Sequence, residues 1–163
     1  MERLYREHSP VLFRYLVRFS GDPEAAADAV QEAFVRLVER PPRLDGVRTW
    51  LFRVATNLVR EGGRTRSRRL RLLASRPAEA LLADPPDDPA AALDRDERRR
   101  AIRTALESLG ERDRMALLMR AEGFAHREIA EAVGTTTGSV GTIINRAMAK
   151  LAAALPPDQG DPP

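Results

Sequence analysis

The sequence predicts an all-α fold of two small helical domains joined by a flexible linker rich in proline and acidic residues. Three observations carry that prediction. Apolar residues recur at steps of three and four along much of the chain, which is the spacing of one helix face. Alternating β-branched residues flanked by turns nowhere run for more than a few positions, so strand signals are scarce. Four of the twelve prolines lie at positions 77, 85, 86 and 89 and four at 156, 157, 162 and 163, while positions 90–155 hold none. That second stretch is free to be helical throughout.

The 163 residues suit one ordinary domain or two small ones, and a large multidomain enzyme is not expected. The charges sum to +3, and 26 of the 27 basic residues are Arg, a side chain suited to forked contacts with phosphate and carboxylate. The chain has no Cys and two His, His8 and His126, far apart in sequence. Disulfides, thiol catalysis and thiolate or His-cluster zinc sites therefore drop out, and no metal or cofactor is expected. No apolar run approaches the roughly 20 residues of a membrane span, and Met1 leads directly into Glu2 and Arg3 without a signal-peptide core. A soluble, cytoplasmic protein without membrane insertion is expected.

The first helix is expected to bury Tyr5, His8, Leu12, Tyr15, Leu16 and Phe19 and to stop at Gly21. Asp22 and Pro23 then read as an N-cap followed by proline at the first helical position. Ala27, Val30, Phe34, Leu37 and Val38 form the stripe of this second helix, which ends before Pro41 and Pro42. A loop covers Pro41 to Val47. The third helix is expected to start near Thr49, to bury Leu51, Val54, Ala55 and Leu58, and to weaken at Gly62 and Gly63 by roughly 1 kcal/mol per glycine.

A charge switch follows. From Arg60 to Arg76 seven Arg stand against the single acid Glu61, giving +6; from Pro77 to Glu97 seven acids stand against Arg95, giving −6. Such blocks read either as a solvated helix end beside an acidic linker or as a polyanion-facing surface followed by a tether. The expected boundaries are 1–72 for the first domain, 73–92 for the linker, 93–155 for the second domain and 156–163 for a disordered tail.

Beyond the linker, Asp88 and Pro89 again read as cap and first helical residue, and Leu93, Ile102, Ala105, Leu106 and Leu109 form a stripe stopped by Gly110. Met115, Leu118 and Met119 carry the next helix, which ends at Gly123. Two helices follow, Ala125 to Val133 and Thr136 to about Leu155, separated only by Gly134 and Thr135, with Thr135 or Thr136 as hydroxyl cap. This is the helix-turn-helix arrangement, which serves DNA binding in some proteins and pure packing in others. Ile129, Ala130 and Val133 can interlock with Val140, Ile144 and Ala147, the small Ala130 permitting close approach. Thr136, Thr137, Ser139, Thr142, Asn145 and Arg146 fall on the remaining face, and all six can bond phosphates or base edges.

The run Gly-Phe-Ala-His-Arg-Glu-Ile-Ala-Glu-Ala-Val-Gly (123–134), continued by Thr-Thr-Thr-Gly-Ser-Val-Gly-Thr-Ile-Ile-Asn-Arg-Ala (135–147) and Leu151, resembles region 4 of bacterial RNA polymerase sigma factors. Leu-Gly-Glu-Arg-Asp-Arg (109–114) is similar to its usual Leu-Pro-x-Arg-x-Arg opening, with Gly110 for proline. Asp-Ala-Val-Gln-Glu-Ala-Phe (28–34) resembles region 2.2, and Trp-Leu-Phe-Arg-Val-Ala-Thr-Asn (50–57) resembles the start of the promoter-melting helix. With regions 2 and 4 alone, joined by a short linker, the chain resembles the extracytoplasmic-function (ECF) class.

That resemblance implies roles residue by residue. Asp28, Gln31, Glu32 and Arg36 would face outward to bind core RNA polymerase, with Phe34 and Leu37 anchored inward. The loop Pro41 to Val47 and residues Arg48, Trp50, Arg53, Asn57, Arg60 and Arg64 would capture the opened strand of the minus-ten element, an Arg groove tracking phosphates beside a pocket for an unstacked base. Core packing is weighed first for Trp50, a base or backbone contact first for Asn57. Arg120, Arg127, Thr136, Thr137, Ser139, Thr142, Asn145 and Arg146 would meet the minus-thirty-five element of promoter DNA, with Arg112 a further source of phosphate contact. An anti-sigma factor is the implied regulatory partner.

Departures from the family pattern matter here. Glu61 stands where the family usually has Asp, and Gly62 and Gly63 stand where its helix is continuous. Gly141, Ile143 and Met148 replace commonly basic residues, so the minus-thirty-five contact is expected to be electrostatically thin. A stand-alone helix-turn-helix regulator would leave the 28–34 motif without a role. An enzyme is least expected, because no nucleophile–base pair, metal cluster or phosphate-cradling glycine loop appears.

Overall fold

In the computed structural model, residues 1–42, 46–70 and 89–155 are described, with side chains for 1–42, 46–62 and 96–155. Seven helices make up the secondary structure of the described residues, and local chemistry accounts for most of their ends. Helix α1 (Glu2–Ser20) stops at Gly21, whose N–H still reaches the Val17 carbonyl at 2.8 Å and whose φ of 70°, which suits glycine, then turns the chain out of the helix. Helix α2 (Pro23–Glu39) opens as expected: the Asp22 carboxylate accepts the N–H groups of Glu24 and Ala25, both at 3.0 Å. Helix α3 (Val47–Leu70) begins two residues earlier than expected and runs without a break through Gly62 and Gly63. Two glycines lower helix propensity without removing any backbone hydrogen bond, so neighbouring turns carry the helix across them.

The second half contains α4 (Pro89–Glu107), α5 (Glu111–Ala121), α6 (His126–Val133) and α7 (Thr137–Ala154). Residues 43–45, 71–88 and 156–163, which include most of the acidic linker and the tail, lie outside the described residues, as does the side chain of Leu93.

Helices α1, α2 and α3 pack as one module around Leu12, Leu16, Ala26, Ala33, Leu51 and Ala55, all fully buried. Tyr15 lies among them, its hydroxyl 3.1 Å from Thr56 Oγ1. Since Thr56 donates its own proton to the Phe52 carbonyl at 2.6 Å, Tyr15 is the donor of that pair. Two stripe assignments are corrected. Tyr5 is 45% exposed, resting one face on Phe34 at 4.8 Å, and Val38 is 60% exposed. The buried positions of α2 are 26, 29, 30, 33, 34 and 37, and Val38 lies outside that row.

Helices α5, α6 and α7 form the second module around Met119, Ile129, Val140 and Ala147. The turn between α6 and α7 depends on Gly134 at φ 69°, which lets the Thr135 N–H reach the Ala130 carbonyl at 2.9 Å. Ile143 is buried and Ile144 only partly so, which moves the packing row of α7 one residue along; Ile102 of α4 is likewise partly exposed. The two modules share one buried cluster, joined where the Phe52 and Phe124 rings meet edge to face at 4.7 Å.

Candidate polymerase and nucleic-acid surfaces

Helix α2 turns its buried row inward, with Phe34 and Leu37 both in the core, and leaves Asp28, Gln31, Glu32 and Arg36 exposed as the sequence implies. Arg36 Nε donates to Glu32 Oε1 at 2.8 Å, one turn away. Between these polar groups lie Val35, 51% exposed, and Val38. The surface is therefore an apolar centre within a polar rim, the composition of a docking face. The periodicity of the sequence had assigned Val38 to the core.

On α3, Arg53, Asn57 and Arg60 recur at steps of four and three and share one face. Asn57 is exposed, and Arg60 Nη1 donates to its Oδ1 at 3.4 Å. Trp50 is half-buried and packs against the core, in line with the weight given to packing. The Arg64 side chain and residues 43–45 of the preceding loop lie outside the described residues. The other three arginines are already engaged. Arg48 donates to the Glu122 carbonyl at 2.5 Å and stacks 4.0 Å over the Phe124 ring, Arg53 pairs with Glu131 at 3.6 Å, and Arg60 Nε lies 2.7 Å from Glu111 Oε2.

On α7, Thr136, Ser139, Thr142 and Asn145 follow one another at steps of three, with Arg146 one turn beyond Thr142, and wind from the edge of the buried row of Val140, Ile143 and Ala147 to its far side. Thr136 occupies the N-cap position, but its hydroxyl meets Ser139 Oγ at 2.8 Å instead of a backbone N–H. Arg120, Arg127, Thr137, Thr142 and Asn145 are exposed. Arg112 is committed elsewhere: its Nη2 donates to the Gly134 carbonyl at 2.7 Å, satisfying the end of α6. Ile143, which stands where the family commonly has a basic residue, is a core residue here.

Asp113 decides the electrostatics of α7. Its carboxylate, 5% exposed, accepts from Arg146 Nε at 3.0 Å and Nη2 at 2.5 Å, and Lys150 Nζ lies 3.5 Å away. The hydrogen bonds from Arg146 hold the Asp113 carboxyl below its ordinary pKa, helped by the charges of Arg146 and Lys150 and opposed by burial. Both basic residues of α7 are thus drawn toward one acid, which thins the positive field of this surface further.

Three contributors were not among the expected site residues, because their partners lie far away in sequence. Asp113 is one. Arg114 donates across the modules to the Phe19 carbonyl at 2.7 Å and also binds the Glu107 and Leu109 carbonyls, closing the ends of α1 and α4. Burial pulls its guanidinium below the ordinary pKa, against Glu107 and Glu111. Glu128 accepts the Ala125 N–H at 2.8 Å, capping α6, while its other oxygen accepts from Thr49 at 3.1 Å. Only the capping half of that arrangement, a Glu three residues into a helix, is readable from sequence.

Among the described residues, no helix is long and apolar enough to cross a membrane. The family described as Sigma-70 region 2 matches residues 4–69, and the family described as Sigma-70, region 4 matches residues 99–151. The chain is similar to the ECF RNA polymerase sigma factor SigL of Mycobacterium tuberculosis, 32% identical over 163 residues that cover 95% of this chain and 88% of that protein. It is also 31% identical over 150 residues to the ECF RNA polymerase sigma factor EcfG of Rhodopseudomonas palustris, covering 90% and 80%. In fold it is similar to the sigma factor RpoE in complex with the anti-sigma factor NepR from Bartonella quintana, with a TM-score of 0.66 at 21% identity over 97% of this chain and 98% of that one. A second likeness is to CnrH in complex with the cytosolic domain of CnrY, with a TM-score of 0.63 at 23% identity over 93% and 84%.

Proposed function

Because this chain belongs to the ECF class of RNA polymerase sigma factors, and so is a transcription initiation factor that directs core polymerase to promoters, we propose that its two modules divide promoter recognition between them. The exposed face of α2, with Asp28, Gln31, Glu32 and Arg36 around Val35 and Val38, docks on core polymerase. The α3 face of Arg48, Arg53, Asn57, Arg60 and Arg64, with Trp50 and the loop before it, captures the opened minus-ten strand. The α7 face of Thr136, Thr137, Ser139, Thr142, Asn145 and Arg146, with Arg120 and Arg127, sits on the minus-thirty-five duplex.

The observation that carries this reading is the α3 face itself: two arginines and an exposed amide at positions 53, 57 and 60, three groups suited to phosphates and one unstacked base. The family is one of binding factors, and no catalytic step is assigned to this chain. Cytoplasmic action and control by an anti-sigma factor belong to the same proposal, the latter supported by the two structural neighbours described as such complexes or as bound to a cytosolic partner domain. A stand-alone helix-turn-helix regulator is disfavoured, because the similarity spans both modules.

Transcription with purified core polymerase tests the division. Asn57→Ala should lower open-complex formation on duplex promoter by about ten-fold or more, the range for one lost base-stacking or hydrogen-bonding contact, and should lower it less on a template already bubbled at the minus-ten element. Unchanged activity on both templates would return Asn57 to a structural role.

A further inference from the structure

Met148, an apolar residue where the family is commonly basic, is 50% exposed. Among the described side chains, the other large apolar groups open to solvent are Met1, Tyr5, Val35 and Val38, on α2 or at the start of α1, and Ile102 of α4. Ile102 and Met148 line one groove of about 610 Å³, together with the buried Val17, Leu106 and Leu118. That volume lies within the roughly 300–1,000 Å³ of small-molecule sites. None of the lining residues belongs to the proposed polymerase or promoter faces.

The same lining contains two pairs of arginines, each pair one turn apart: Arg14 and Arg18 on α1, Arg99 and Arg103 on α4. Against these four cations it has one acid, Asp96, which leaves a local charge of +3. Cations one turn apart repel each other, so an anion placed between the pairs relieves a cost already present. Arg18 meets Glu122 at 3.3 Å and Arg99 meets Asp96 at 3.9 Å, but both guanidinium groups are half-exposed and such pairs are weak. The rest of the lining is aliphatic apart from the Met148 thioether, with no uncharged polar side chain. Hydroxyls, amides or ring nitrogens spread along a ligand would lie unpaired on such a floor. An unsubstituted chain with a single anionic head group meets no such penalty. Two turns of a helix 10 Å across occupy about 850 Å³, more than the groove encloses.

We propose that this groove binds a long-chain fatty-acid anion, with its carboxylate among Arg14, Arg18, Arg99 and Arg103 and its chain over Ile102, Leu118 and Met148. The guanidinium fork matches a carboxylate in charge and geometry. The flexible, polarizable side chain of Met148 adapts to a chain that bends in many ways. Helix α1 supplies one side of the groove and α4, α5 and α7 the others, so the bound anion stabilises the folded chain by mass action.

The purified full-length chain tests the site with dodecanoate held below its micellar concentration. Calorimetric titration should show saturable one-to-one binding, and the melting temperature should rise with dodecanoate concentration. Hexanoate, half as long, should bind at least about a hundred-fold more weakly, because each buried methylene adds to affinity. Dodecyltrimethylammonium, with the same chain and a cationic head, should bind at least about ten-fold more weakly. R14Q/R99Q should lose about ten-fold in affinity for dodecanoate. R3Q/R40Q removes the same charge at exposed positions outside the groove and should change it less than about two-fold. M148E sets a carboxylate in the groove and should abolish binding while leaving the ligand-free melting temperature within about 3 °C. Uptake without saturation, equal affinity for the cationic amphiphile, equal losses for the two arginine pairs or full binding by M148E would overturn the proposal. So would a chain that ignores dodecanoate but binds a synthetic Glu/Leu helix with an affinity that M148E removes, which would make the groove a peptide surface.

Discussion

Asp113 and Arg146 form a two-point fork across α5 and α7, with Nε to Oδ2 at 3.0 Å and Nη2 to Oδ1 at 2.5 Å. The acid is almost fully buried and the guanidinium half-exposed. One contact thereby locks α7 against the module and occupies the side chain of the proposed duplex-facing surface best suited to forked contacts.

Asp113→Asn should therefore do two things at once. It should lower the urea midpoint at neutral pH, by less than truncation of a core aromatic, and it should free Arg146, raising duplex affinity. The carboxyl is held below its ordinary pKa of about 3.9. Its contribution is accordingly complete above that value and lost as pH falls through the lower folded value. Urea unfolding of parent and variant should converge at strongly acid pH. A stability gap that persists there would show that the cost is one of packing, unrelated to charge.

Docking on polymerase and folding should separate cleanly on α2. Gln31→Ala with Arg36→Ala, and equally Val35→Ser with Val38→Ser, should weaken binding to core polymerase while changing stability by no more than about 0.5 kcal/mol, the usual range for exposed positions. Phe34→Ala, at a buried site beside Tyr5, should cost about 3 to 5 kcal/mol. Titration against core polymerase and chemical unfolding report the two effects, and unchanged affinity for both surface pairs would remove α2 from the interface.

Tyr15 should make the first module sensitive to alkali. Burial pushes its phenol above the ordinary range. With the folded value above the unfolded value of about 10, its contribution is complete below that pH and lost as pH rises toward the folded value. One tyrosine's share of phenolate absorbance should thus appear only together with alkaline unfolding. Tyr15→Phe should abolish that coupling, at a neutral-pH cost of about 1 kcal/mol for the lost hydrogen bond.

Gly141→Lys should be accepted by the fold. A Cβ at this position would meet only His126 Cε1, at 4.0 Å, which is ordinary contact. The substitution removes a helix-weakening residue worth up to about 1 kcal/mol and adds a cation that Asp113 does not already hold. Duplex binding should tighten, and the log-log salt slope should steepen by about 0.9 for one added phosphate contact. Weaker binding at every salt concentration would mean that DNA or a partner approaches the backbone closely at Gly141.

Helix ends and interior faces were legible where the causes lie within one or two turns. The Asp22 cap, the Pro23 start, the left-handed Gly21 and Gly134 and the turn between α6 and α7 each depend on a residue and its immediate neighbours. Val38, Ile102 and Ile143 were misplaced because an apolar residue beside a buried row fits two adjacent rows, and packing against a neighbouring helix chooses one. Gly62 and Gly63 do not end α3, because propensity is a small term that surrounding turns outweigh.

The residues alone determined an all-α chain of two helical modules, the motifs that place it in its family and the polar character of three helix faces, because periodicity, capping and turn chemistry act over a few residues. Which of those polar groups are already occupied was decided only by tertiary structure. Arg146 is held by an acid 33 positions away, Arg48 by a carbonyl 74 positions away and Thr49 by a carboxylate 79 positions away. An arginine's reach and charge are written in its sequence position, but its partner is whichever acceptor the packing of distant helices brings within about 3 Å of it.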